Sequence, residues 1–142
     1  MKNLAKHLTM LMALMFIMEA SAVMAQSRKK KDKEEKTVEA IYFHRTRRCG
    51  WCVNLQNSSK AAIEELYAEE LKNGRVKYIT ANIQQPEGAE LAKKYNVTNV
   101  SFVVASGEES TNLTQAGLAG RSNPESFKNA IKETVDNYLN KK

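Results

Sequence analysis

The 142 residues are 42% hydrophobic and 27% charged with a formal charge of +6, a composition that excludes both an intrinsically disordered chain and a membrane protein of many spans. The charge is unevenly placed: residues 26–36 hold six basic and three acidic side chains, half of the net charge, so the remainder does not read as a nucleic-acid-binding surface. Only two cysteines and two histidines are present, which leaves a protein-only zinc site short of ligands.

Along the chain, Lys2, Lys6 and His7 make a basic start, Leu8 to Met18 is apolar except for Thr9, and small residues follow at Ala20, Ala22, Val23 and Ala25. This pattern predicts a secretory signal peptide over residues 1–25, cleaved after Ala22 or Ala25. An exported, periplasmic location follows from it. The apolar run is too short to cross a bilayer, so no stable membrane insertion is expected after cleavage. Residues 26–36 lack any apolar anchor and are expected to be a solvated linker. Residues 37–142, with 14 basic and 12 acidic side chains, are of ordinary length for one small domain.

Within that domain, Thr37-Val-Glu-Ala-Ile-Tyr-Phe43 is apolar on both faces, the pattern of a central strand covered by helices. Val53, Ala62, Ile63, Leu66, Tyr67 and Leu71 then fall at helical spacing until Asn73-Gly74, and Asn57-Ser58-Ser59 is expected to bend that helix. Arg75 to Ala81 alternates as a second strand. Pro86 opens a short helix that Asn96 ends, and Val100 to Ala105 is a third, buried strand. After a turn at Ser106-Gly107-Glu108, the run from Thr111 to Leu118 is expected to pair back as an edge strand. Asn123-Pro124 caps a last helix with Phe127, Ala130, Ile131, Val135, Tyr138 and Leu139 facing inward. The order is β-α-β-α-β-β-α, an α/β domain with a mixed four-stranded sheet flanked by helices.

Cys49-Gly50-Trp51-Cys52 falls where the first strand gives way to the first helix. Two intervening residues let the sulfurs meet on a first helical turn, where free backbone N–H groups and the helix dipole stabilise a thiolate. A dithiol–disulfide couple is the favoured reading over a metal ligand pair or an inert bridge. Covalent haem would require histidine where Val53 stands, and a purely structural disulfide would close too short a loop to constrain the unfolded chain. In an oxidising compartment the pair should rest as a disulfide. No cofactor motif is present and no metal is expected.

The element order, the C-x-x-C, the Lys94-Tyr-Asn-Val97 step into the third strand and the Gly107 hairpin before a terminal helix resemble the thioredoxin-like superfamily over nearly all of residues 37–142. More closely, Tyr42-Phe-His-Arg-Thr-Arg-Arg-Cys-Gly-Trp-Cys52, Tyr78-Ile-Thr-Ala-Asn-Ile83, Pro86-Glu87 and Tyr95-Asn-Val-Thr98 look like small exported thioredoxin-fold proteins labelled as a nitrophenyl-compound nitroreductase subunit. The superfamily resemblance implies an oxidoreductase in which Cys49 attacks, forms a mixed disulfide and is released by Cys52. Its partners would be exported protein thiols or disulfides and a redox partner protein, and the domain is expected to be monomeric. The subunit label implies an electron-passing role beside another reductase, since no flavin motif appears.

Three positions depart from thioredoxins. Arg48, with Arg47, Arg45 and His44 behind it, stands where they have tryptophan. Tyr42 and Phe43 stand where they have a proton-relaying acid, so His44 is the one candidate base nearby. Ser101 stands where they have a cis-proline, and a trans bond is expected before it. Arginine charge should lower the Cys49 pKa and raise the potential above the roughly −270 mV of thioredoxin. Arg45, Arg47 and Arg48 fit either an anion-attracting loop or a merely solvated one, Trp51 a substrate contact or a tolerated surface residue, and Ser101 a thiolate or metal neighbour or a small buried filler. An oxidoreductase, an electron-transfer partner and a non-catalytic binding or metal-handling module all remain compatible with the sequence.

Overall fold

A computed structural model describes residues 37–141; the signal-peptide and linker expectations, on residues 1–36, lie outside the described residues. The elements run β1 (Val38–His44), α1 (Gly50–Leu66), α2 (Ala68–Asn73), β2 (Val76–Asn82), α3 (Pro86–Lys94), β3 (Ser101–Ser106), β4 (Glu109–Asn112), α4 (Thr114–Ala119) and α5 (Pro124–Asn140). The sheet order is β2-β1-β3-β4. β1 lies parallel to β2, reached through helices, and antiparallel to β3, while β3 and β4 form the hairpin. That is the mixed sheet expected of a thioredoxin-like fold.

Being central, β1 buries both faces, and its alternation assigns each residue to a layer. Val38, Ala40 and Tyr42 join Phe102 and Val104 against Leu55 and Ile63 of α1 and Phe127, Ile131 and Val135 of α5. Ile41 and Phe43 join Val103 and Ala105 on the opposite face, against Ala92 of α3 with Tyr95 and Val97. Tyr42, Phe43 and Phe102 are fully buried, and each such side chain contributes about 1.5–3 kcal/mol of hydrophobic stabilisation. Asn96 turns the chain out of α3 at a φ of 53°, a left-handed conformation that asparagine tolerates.

Two expectations about the helices are corrected. α1 runs unbroken through Asn57-Ser58-Ser59, because Ser59 is fully buried and its hydroxyl donates to the Gln56 carbonyl (3.0 Å) and meets the Tyr78 hydroxyl (2.9 Å). The break comes instead at Tyr67, whose backbone leaves the helical region at φ −131° and ψ 35°. Its ring is buried and its hydroxyl donates toward the Lys132 carbonyl and the Asp136 carboxylate, tying the end of α1 to α5.

The expected strand from Thr111 to Leu118 is likewise replaced. β4 occupies Glu109–Asn112 and α4 begins at Thr114. There the Thr114 side chain takes over the ladder by accepting the Phe102 N–H (3.0 Å), while the Asn112 carboxamide accepts the Thr114 N–H. Local side-chain bonds of this kind compete with strand pairing.

The joint between β2 and α3 is a close backbone approach. A Cβ added at Gly88 would lie 2.1 Å from the Asn82 carbonyl oxygen, so only glycine lets α3 seat there.

Candidate active site

β1 ends at His44 and the chain crosses the end of the sheet as an exposed loop before α1 begins. That loop is fastened from below. The Ile83 N–H donates to the His44 carbonyl (2.9 Å), the Thr46 N–H donates to Gln84 Oε1 (2.9 Å), and Asn82 Nδ2 donates to Thr46 Oγ1 (3.0 Å).

Cys49 is the N-cap of α1 in extended backbone, and its sulfur accepts the Cys52 N–H at 3.2 Å. The two cysteines are joined as a disulfide with their Cα atoms 5.0 Å apart. Cys49 is exposed, whereas Cys52 keeps only 6% of its surface. One sulfur is therefore open to attack and its partner is shielded. No acidic residue lies in the first turn of α1, so the positive end of the helix dipole is left for the sulfur.

Beneath the motif, the buried Tyr42 hydroxyl donates to the Cys52 carbonyl at 2.6 Å. Burial raises the Tyr42 phenol above its ordinary pKa of 10.0, with the Arg48 guanidinium pulling the other way. The Tyr42 ring stacks on His44, centroids 5.9 Å apart. Tyrosine rather than phenylalanine at a fully buried strand position was the sequence signal for such a bond, since a buried hydroxyl needs a partner.

His44 has both ring nitrogens engaged. Nδ1 lies 3.0 Å from the Arg45 carbonyl, which can only accept, so Nδ1 carries the proton; Nε2 then accepts from Arg48 Nη2 at 3.0 Å. Through these two bonds His44 joins the end of β1 to the Arg48 guanidinium. Arg48 Nη1 also donates to Gln56 Oε1 at 2.5 Å. The guanidinium is thus held between β1 and α1. Arg45 and Arg47 are exposed on the same loop, and no carboxylate among the described residues forms a salt bridge with any of the three.

Trp51 is half-buried and lines a groove of about 480 Å³ with Asn54, Leu55, Gly117, Arg121 and Phe127. α4 closes on α1 here without room for a side chain, as a Cβ on Gly117 would lie 2.3 Å from Leu55 Cδ1. Ser101 opens β3, is buried, and pairs across the ladder with Phe43 at the end of β1 from which the cysteine loop departs. Its hydroxyl donates to the Asn99 carbonyl (3.2 Å), and no cis peptide bond occurs among the described residues. Among the described residues, no group of three or more His, Cys, Asp and Glu side chains is arranged to hold a metal ion, and no helix is long and apolar enough to cross a membrane.

No protein-family model matches the sequence, and no curated protein matches it significantly. Among solved structures, an X-ray structure of Fasciola hepatica thioredoxin aligns with a TM-score of 0.44 and 19% identity, covering 72% of this chain and 81% of that chain. The finer resemblance to nitrophenyl-compound nitroreductase subunits finds no support in these comparisons. The class is defined by the chain's own topology and motif: a thioredoxin-like α/β domain with a C-x-x-C disulfide at the N-terminus of its first helix.

Proposed function

We propose that this protein is a thiol-disulfide oxidoreductase working through the Cys49–Cys52 couple. The observation that carries the reading is the asymmetry of the pair: an exposed sulfur capping a helix N-terminus that has no acid of its own, bonded to a sulfur buried one turn in. Starting from the disulfide, a substrate thiolate attacks the Cys49 sulfur and expels Cys52 as a thiolate, leaving a mixed disulfide on Cys49. A second substrate thiolate then attacks the substrate sulfur and releases Cys49. The substrate gains a disulfide, the protein gains two thiols, and the two protons lost by the substrate end on Cys49 and Cys52. The reverse sequence reduces a substrate disulfide.

The basic start and apolar run before Glu19 support export, which would place this chemistry in the periplasm or outside the cell. The decisive experiment is trapping with Cys52→Ser. Loss of the resolving thiol should leave Cys49 covalently attached to its substrates, in adducts that dithiothreitol releases. Absence of adducts, together with no dithiothreitol-linked reduction of insulin by the parent protein, would sink the oxidoreductase reading. A single trapped protein with little insulin activity would identify the redox partner of an electron-passing subunit.

A further inference from the structure

The arginine loop contrasts with the lysines of α1, α2 and α5 that meet acids: Lys60 with Glu64, Lys72 with Glu69, Lys128 with Glu65 and Lys132 with Asp136. Residues 37–142 are close to neutral, with 14 basic and 12 acidic side chains, yet three arginines fall within the four positions before Cys49 and none has a carboxylate partner among the described residues. Packing three like charges together does nothing for folding, because they repel one another. Nor is the loop slack. Thr46 bolts it to Asn82 and Gln84, and Arg48 is held by Gln56 and His44. A guanidinium already fixed in place loses less entropy when it takes up a carboxylate, and its planar fork suits that group better than an ammonium would. Directly after these arginines in the chain comes the exposed, disulfide-bonded Cys49.

We propose that Arg45, Arg47 and Arg48 select the substrate: the site exchanges with cysteines that lie in acidic peptide segments, Asp or Glu flanking the reacting sulfur. The inference rests on the oxidoreductase reading and adds a substrate class to it. Carboxylates beside the substrate cysteine would meet the arginines while its sulfur meets Cys49, raising the encounter rate and orienting the attack.

The test uses three dithiol peptides of equal length that differ only in their flanking residues: glutamate, glutamine or lysine. Their rates of exchange with the oxidised protein are measured at low salt and at about half-molar salt, where charges several ångströms apart are screened. The glutamate peptide should react about tenfold faster than the glutamine peptide at low salt, with the lysine peptide slowest and the differences collapsing at high salt. In R45Q/R47Q/R48Q the ratio of glutamate to glutamine rates should fall toward one. In R45K/R47K/R48K, which restores charge without the fork, much of the ratio should return, and circular dichroism confirms that both variants are folded. Equal rates for the three peptides in the parent protein, or a glutamate preference that survives the glutamine variant, would overturn the proposal while leaving the redox function standing. Exchange with none of the peptides and none with dithiothreitol would overturn both.

Discussion

α1 and α5 are both 17-residue helices with a side-chain N-cap, and their first turns are built for different ends. α5 opens with Asn123, whose carboxamide accepts the Ser126 N–H, followed by Pro124 and an acidic Glu125. Each of these is a standard stabiliser of a helix start. α1 opens with Cys49 as the cap, has no acid in its first turn, and is preceded by arginines that place further positive charge at the positive end of the dipole. One helix start satisfies itself within the fold. The other withholds its compensation, and the negative charge that would supply it is a Cys49 thiolate. The local sacrifice at α1 is offset by anchoring both ends of the helix through buried tyrosines, Tyr42 at the Cys52 carbonyl and Tyr67 at α5.

Breaking this contrast should have its largest effect at the sulfur. Cys49→Ala is expected to slow disulfide exchange by about three orders of magnitude or more in a peptide-exchange assay, because the one thiol left in the motif, Cys52, is buried. Giving α1 what α5 already has should separate stability from chemistry. Gly50→Glu has open space around its new Cβ and should stabilise the fold by about 1 kcal/mol through helix propensity and dipole compensation. The same carboxylate should raise the Cys49 thiol pKa and lower the potential, read by thiolate absorbance and by equilibration with glutathione; a lowered thiol pKa would contradict the account of α1. The reciprocal change at α5, Asn123→Ala, should cost about 1 kcal/mol in denaturant unfolding with exchange rates as in the parent protein.

Tyr42→Phe should remove about 1 kcal/mol, the net value of one buried hydrogen bond, and loosen the first turn of α1 in hydrogen exchange. Two tyrosines, Tyr42 and Tyr78, give a pH signature. Burial raises Tyr42, and pushes Tyr78 up to about 12 from its ordinary 10.0. A raised phenol pKa means that the folded state holds the proton more tightly. The stabilisation is complete below about pH 10 and is lost as the pH climbs toward 12, so the melting temperature should fall across that window and fall less in Tyr78→Phe.

Most of the fold was legible because hydrophobic alternation and Pro, Gly and Asn punctuation are local signals, and the motif declared itself as the two cysteines of the chain. What escaped was decided by contacts across the fold. The persistence of α1 through Ser59 depends on Tyr78, 19 residues away, and its break at Tyr67 depends on Asp136. The helix in place of a strand after Asn112 depends on Thr114 reaching the Phe102 N–H. The Asn99 carbonyl that the Ser101 hydroxyl binds is likewise a partner that no periodicity names. The roles of Tyr42 and His44 needed the positions of Cys52 and Arg48, which no periodicity contains.

Gly88 ties these themes to a place that no motif marks. Its missing side chain lets α3 settle onto the Asn82 carbonyl, and the side chain of the same Asn82 reaches across to Thr46 in the arginine loop. A single methyl group added there would have to push Asn82 aside, and the push would be delivered to the loop that stands in front of Cys49. A backbone position nearly forty residues downstream of Cys49 is thereby coupled, through one asparagine, to the loop that leads into the disulfide.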